Sequence, residues 1–170
     1  MNLFKLYILL TGLAITLASC CTGGDDGDSV STNPPVIKPD EPQEPTYPTY
    51  DAPHWSVSNP DVYECSMTAI LILPDTIVGS QQPNDELAIF MNDECRGVAE
   101  RIEVSPAKYV WMVMIKGNTN ESKLQKLKIR YWSSIYKYMY DSDNKPLFET
   151  DSRLGEIDAP YTLDLKIKEN

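Results

Sequence analysis

From Tyr63 onward, apolar and polar side chains alternate with a period of two, the mark of half-buried strands. Tyr63, Cys65, Met67, Ala69, Leu71 and Leu73 share one phase of a first strand, with Glu64, Ser66 and Thr68 on the other. Leu87 to Met91 is apolar at every position, which predicts a strand buried on both faces. Asn92-Asp93 supplies a turn suited to left-handed backbone, and Glu94 to Val104 reads as the return strand. Lys108 to Lys116 is the next strand, ended by a turn at Gly117-Asn118-Thr119-Asn120. Lys126 to Trp132, Ile135 to Tyr140, Leu147 to Glu149 and Tyr161 to Ile167 complete the set. About eight short strands, punctuated by Gly, Asn, Asp and Pro, predict an all-β antiparallel sandwich of immunoglobulin-like or jelly-roll-like kind. Helical periodicity is weak; Ser122 to Lys128 shows the most, and it reads as a loop leading into a strand.

The first 50 residues follow other rules. Residues 1–19 carry Lys5, a short apolar run and small residues before Cys20, the layout of a cleaved leader. The run, about a dozen residues, falls short of the roughly 20 that span a bilayer as a helix. Leu17-Ala18-Ser19-Cys20 resembles the lipobox of bacterial lipoproteins, which implies cleavage before Cys20 and acylation of its thiol. One acyl chain binds a bilayer marginally, whereas two or more anchor stably, so the resemblance implies a lipid bilayer as permanent partner.

Residues 20–50 read as a tether. Thr22 to Ser29 is rich in Gly and Asp, and Pro34, Pro35, Pro39, Pro42, Pro45 and Pro48 then fix φ and remove backbone donors. Some 30 residues at about 3.1 Å each reach at most roughly 90 Å. Residues 51–170 remain for the folded part, enough for one modest core and too few for two domains.

Charge narrows the partners. Acidic residues number 25 against 15 basic ones, for a net charge of −10, and loss of Lys5 with the leader makes it −11. Such a chain repels phosphates and anionic headgroups, so nucleic acid and peripheral membrane binding are excluded as functions.

Asp25, Asp26 and Asp28, close behind Cys20, resemble the acidic signal that sends Bacteroidetes lipoproteins to the outer face of the outer membrane. Asp85-Glu86-Leu87-Ala88-Ile89-Phe90 followed by Glu94-Cys95-Arg96-Gly97-Val98-Ala99 resembles a pattern of Bacteroidetes surface β-sandwich modules. Ser66-Met67-Thr68, Tyr131-Trp132, Leu154-Gly155 and Ala159-Pro160 extend that resemblance over residues 55 to 167. It implies a fold and an address; it brings no catalytic motif and no cofactor. Asp28-Ser29-Val30 and Asp75-Thr76-Ile77 resemble the O-glycosylation sites of exported Bacteroidetes proteins, which makes Ser29 and Thr76 candidate acceptors. Read from its residues alone, the Glu94 to Ala99 block is structural: Gly97 beside a tight hairpin allows close backbone approach or a bulge, and Glu94 and Arg96 are placed to pair.

Reactive chemistry is thinly supplied. His54 is the only histidine, and it sits beside Trp55 rather than among acids and nucleophiles. The phosphate-binding, dinucleotide and H-E-x-x-H motifs do not occur. Asp141-Ser142-Asp143-Asn144 begins like a calcium loop, but Pro146 and Ser152 stand where glycine and glutamate belong, so no metal is expected, and dispersed carboxylates suggest no glycosidase pair. No enzyme activity is expected.

Two features stay open. Tyr136, Tyr138 and Tyr140 alternate on one predicted strand with Trp132 on the one before it, either a flat ligand platform for a glycan or ordinary core. Cys65 and Cys95 both fall on inward phases, as a disulfide permitted by export or as two buried thiols. The expected function is a surface-displayed, noncatalytic binding or adhesion module whose partner is a glycan or a surface protein. An accessory protein of an outer-membrane assembly and a carbohydrate-active hydrolase are the rivals.

Overall fold

A computed structural model describes residues 46–169. Cys20, the acidic cluster at Asp25, Asp26 and Asp28, and Ser29 lie outside the described residues. The elements are β1 (Cys65–Ile72), α1 (Asp75–Val78), β2 (Glu86–Met91), β3 (Glu94–Val98), β4 (Glu100–Ser105), β5 (Lys108–Gly117), β6 (Lys128–Trp132), β7 (Met139–Ser142), β8 (Arg153–Leu154), β9 (Tyr161–Thr162) and β10 (Leu165–Ile167). The chain is all-β, and its strands form two sheets. Sheet A runs β4-β5-β1, with β8 and then β9 continuing the far side of β1; sheet B runs β10-β7-β6-β2-β3. Pairing is antiparallel except where β8 and β9 join β1 in parallel.

The inter-sheet core follows the predicted phases. Met67, Ala69, Leu71 and Leu73 from β1 and its continuation meet Leu87, Ile89 and Met91 from β2, with Trp111, Tyr131 and Phe148 among the large side chains that exclude water between the sheets. The β2–β3 turn is as expected: Asn92 and Asp93 sit at φ 52 and 63, the left-handed pair that closes a two-residue hairpin with the twist of its strands.

Several expected strands resolve differently because the chain changes sheets. Glu94 to Val104 is two strands, β3 in sheet B and β4 in sheet A, hinged at Ala99, whose N–H still donates to Leu87 O at 2.8 Å. Tyr161 to Ile167 likewise divides: Leu163 N–H donates to Ile72 O of sheet A at 3.0 Å, while Asp164 O accepts from Asp143 N–H beside sheet B at 2.8 Å. Leu147 to Glu149 forms only an isolated bridge, Lys126 with Leu147.

Ile135 to Tyr140 is a strand only at its end, where Met139 and Tyr140 open β7. Lys137 N–H donates to Ser133 O (2.8 Å), Ser133 N–H donates to Tyr138 O (3.0 Å), and Lys137 takes φ 56, so residues 133–138 form the turn between β6 and β7. The predicted strands number about eight; ten are found among the described residues, because two predicted strands divide and β8 is added while Leu147 to Glu149 is lost.

The folded part also starts earlier than residue 51. Tyr50 N–H donates to Lys137 O at 2.7 Å, the Trp132 indole donates to Tyr50 O at 2.9 Å, and Tyr47 packs edge-on against Tyr138. Residues 47–64, the end of the expected tether included, therefore form a strap against the sandwich, extended except for a single 3-10 turn at Pro60–Val62.

The block from Glu94 to Ala99 is structural, and it contains a bulge. Ile89 pairs with Gly97 while Phe90 pairs with Cys95, so Arg96 is the extra residue. Directly paired residues point to the same side of a sheet, and inserting one residue reverses the parity that the sequence suggests. Arg96 is thereby buried: its guanidinium donates to both carboxylate oxygens of Glu121 (2.9 and 3.2 Å), to Glu94 (3.1 Å) and to Lys116 O (3.4 Å), beneath the Tyr63 ring. Gly97 has no room for a side chain, since a Cβ would lie 2.7 Å from Met114 O.

The same bulge decides between the two readings left open for Cys65 and Cys95, and corrects the inward phase expected of Cys95. Cys95 falls on the side of Phe90, the outer face of sheet B, whereas Cys65 packs against the inter-sheet core. Both thiols are free. Cys65 donates to Gly117 O at 3.2 Å, and burial pushes the Cys95 thiol above its usual pKa, which keeps it protonated and unreactive.

Candidate functional site

The two outer faces of the sandwich differ in how far the chain covers them. On sheet B that face carries Ala88, Phe90, Trp132 and Met139, buried yet outside the inter-sheet core. The strap covers it. The Glu86 carboxylate accepts from the backbone N–H groups of His54 (3.3 Å) and Trp55 (3.2 Å), and the Trp55 ring meets Phe90 edge-on at 5.6 Å. His54 is exposed and lies beside Glu86 with Nδ1 at 3.3 Å, so its role is at the edge of the domain.

The expected aromatic platform is not assembled. Tyr140 is buried in the core against Tyr131, and Trp132 is buried beneath the strap. Only Tyr136 and Tyr138, in the β6–β7 turn, remain near the surface, stacked at 5.9 Å with Tyr136 exposed. The alternation of residues 136, 138 and 140 placed three rings on one face only while that segment was read as a strand; the turn disperses them.

Sheet A presents a different outer face. The cross-strand rows are Glu100, Met112 and Ile70, then Thr68 beside Met114, then Ser66 beside Lys116. Met112 is 39% exposed and Met114 56%. They floor a groove of about 410 Å³, with Val57 and Pro60 of the strap and Val98 along its walls. Through Thr68 and Met112 it continues into a second hollow of about 310 Å³, bounded by Arg153, Glu156, Ile157 and Asp158. The loop at that end is held by Gly155 at φ 77, where a Cβ would lie 2.5 Å from both Ile70 O and Tyr161 N. The groove exists because β3 belongs to sheet B and the chain joins sheet A only at Glu100, so Val98 and the strap residues Val57 and Pro60 stand as walls over a floor that no element covers among the described residues.

The floor is apolar and deformable. Methionine is unbranched and polarizable and fits varied partners, and a groove of this size lies within the range of ligand sites. Its charges without an ion pair among the described residues stand at the ends, Lys116 on one side and Glu100 and Asp158 toward the other, while Arg153 and Glu156 pair with each other at 2.9 Å.

Comparison with known protein families, with curated proteins and with solved structures finds no match. Any functional reading therefore rests on the geometry.

The carboxylate nearest to a hydroxyl nucleophile is structural. Asp85 accepts from Ser134 Oγ (2.7 Å), Ser134 N–H (2.8 Å), Gln82 N–H (2.7 Å) and the Tyr131 hydroxyl. Burial, together with that bond to Asp85, raises the Tyr131 pKa far above its usual value. A carboxylate held by so many donors locks the β6–β7 turn. Asp141 pairs with Arg130 at 2.9 Å and Asp143 with Lys166, and no grouping of His, Cys, Asp and Glu suited to a metal occurs among the described residues. Thr76, the second candidate glycan acceptor, is exposed on the one-turn helix α1 rather than in a loop.

Sequence reasoning missed Met112 and Met114. Lys108 to Lys116 is apolar at its central positions, which reads as burial on both faces. A signal was present: the phase of the methionines begins at Lys108 and ends at Lys116, and lysine at both ends of a phase marks a face that meets water.

Proposed function

We propose that this chain is a noncatalytic binding module displayed on a bacterial surface, held by acylated Cys20 and spaced by the Pro-rich segment, with the methionine-floored groove as its binding surface and a protein as its partner. The observation that carries the reading is that Met112 and Met114 lie open in a walled groove while the matching face of sheet B is covered by the chain itself. Isolated exposed apolar residues are ordinary, but a contiguous group within a groove marks an interaction site. An apolar floor without aromatic rings suits apolar side chains better than sugar hydroxyls. The satisfied Asp85 and the lone His54 support the noncatalytic part.

A second reading keeps the glycan, on the exposed Tyr136 ring stacked on Tyr138. Capture of surface proteins and of purified glycans by the full chain, by Met114→Asp and by Tyr136→Ala separates the two. A protein retained by the wild type and lost with Met114→Asp is expected; a glycan lost with Tyr136→Ala supports the second reading, and equal capture by all three overturns both. The address is tested separately: Cys20→Ala is expected to release the chain from membranes or block its processing, and unchanged partition of that variant defeats the anchor.

A further inference from the structure

Resting on the reading of this groove as a binding surface, we infer that its occupant is an extended segment of the partner protein. That segment presents two apolar side chains at alternate positions, an acidic residue at the Lys116 end and a basic residue at the Glu100 and Asp158 end.

The first argument is spacing. Met112 and Met114 are two residues apart on β5 and face the same way, so they repeat at about 6.8 Å. An extended peptide repeats its own same-side side chains at that distance, which lets each of two apolar groups rest on one methionine. Walls flank that row of methionines: Val57, Pro60 and Val98 line one side of the groove, and Arg153, Glu156 and Ile157 lie across β1 from β5 on the other, which leaves the length of β5 as its open direction.

Charge gives direction. Lys116 stands four positions along β5 from Met112, the residue paired with Glu100, a separation of about 13 Å in a strand. With no ion pair of its own among the described residues, each end is free to meet a charge of the opposite sign, and a reversed segment would set like charges together at both ends. Size argues against a second copy of this chain as occupant: a stable interface needs about 800 Å² per partner, whereas the open floor is two methionines and their rim.

The fold also displays the mode on its other side. The outer face of sheet B is already covered by an extended segment, the strap, which lays Trp55 on Phe90 and is held through backbone N–H groups. Among the described residues, sheet A offers an apolar floor with charged ends and no such segment. The geometry therefore favours a peptide over a small amphiphile, whose single charge would leave one end of the groove unmatched.

The test selects a random nonapeptide phage library against the full chain, then measures the enriched peptides against Met114→Asp, Met114→Leu and Lys116→Glu, each first shown to melt like the wild type. The expected result is a shared pattern of two apolar residues one apart, flanked by an acidic and a basic residue. Affinity should fall about tenfold or more in Met114→Asp, hold in Met114→Leu, and in Lys116→Glu shift toward peptides whose acidic residue is replaced by lysine. Enriched peptides that lack the alternation, or that bind Met114→Asp as well as the wild type, overturn the inference. If no peptide is enriched but dodecanoate binds the wild type and not Met114→Asp, the occupant is an amphiphile: the peptide inference falls while the groove remains a ligand site. Binding of neither probe overturns the inference, and loss of the Met114-dependent surface partner as well overturns the reading beneath it.

Discussion

The two outer faces of this sandwich start from similar strands and end differently. β2 and β5 are both apolar through their centres, and each places one phase in the inter-sheet core. The second phase of β2, Ala88 and Phe90, is buried beneath the strap; the second phase of β5 leaves Met112 and Met114 open between walls. Strand composition alone does not distinguish a covered face from an open one. Among the described residues the route of the chain before β1 does, because it lies over sheet B.

The comparison predicts where substitution should hurt most. Phe90→Ala and Trp132→Ala each empty a filled layer beneath the strap and are expected to lower stability by about 3–5 kcal/mol, measured by chemical denaturation. Losses below about 1 kcal/mol, the range of ordinary surface sites, would mean that the strap is a loose cover rather than part of the core.

Arg96→Ala comes next, at about 3 kcal/mol. This is the low end for a broken buried ion pair, because Glu121 retains 15% exposure. Burial opposes ionisation of Glu121, but the hydrogen bond from Arg96, the Asn118 N–H and the charge of Arg96 outweigh it and hold its pKa below the usual carboxylate value. A lowered folded-state pKa stabilises above the unfolded value of about 4.3, and that stability is lost as pH falls through the folded one. Wild-type stability should therefore decline below about pH 4.3 partly through this group. In Glu121→Gln that share of the decline should be absent; an acid limb of unchanged slope would show that the pair contributes nothing to pH dependence.

Glu86→Gln is expected to cost about 1 kcal/mol, since an uncharged amide oxygen accepts more weakly from the His54 and Trp55 N–H groups. Its sharper signature is local: protease should clip the segment between Tyr47 and Tyr63 faster, with little change in the rest of the domain. Uniform proteolysis would contradict a separately held strap. Met114→Ala should have the smallest effect, within about 0.5 kcal/mol, because its side chain is already in water. A loss as large as that at Phe90 would erase the contrast between the faces.

Read alone, the sequence determined the all-β class, the inward phase of β1, the double burial of β2 and the left-handed Asn92-Asp93 turn, because each depends on side-chain period or on backbone preference within a few residues. It also placed Glu94 beside Arg96 and marked Gly97 as a site of close approach. Tertiary structure decided everything that depended on parity or on distant segments. A single bulge residue moved Cys95 to the outer face and left both thiols free. A turn in place of a strand dispersed Tyr136, Tyr138 and Tyr140, and two changes of sheet split strands that looked continuous. The groove belongs to this second group. Its methionines are written in β5, but their exposure follows from where β3, the strap and the Gly155 loop pass in space, and local periodicity carries no information about how segments distant in sequence cover one another.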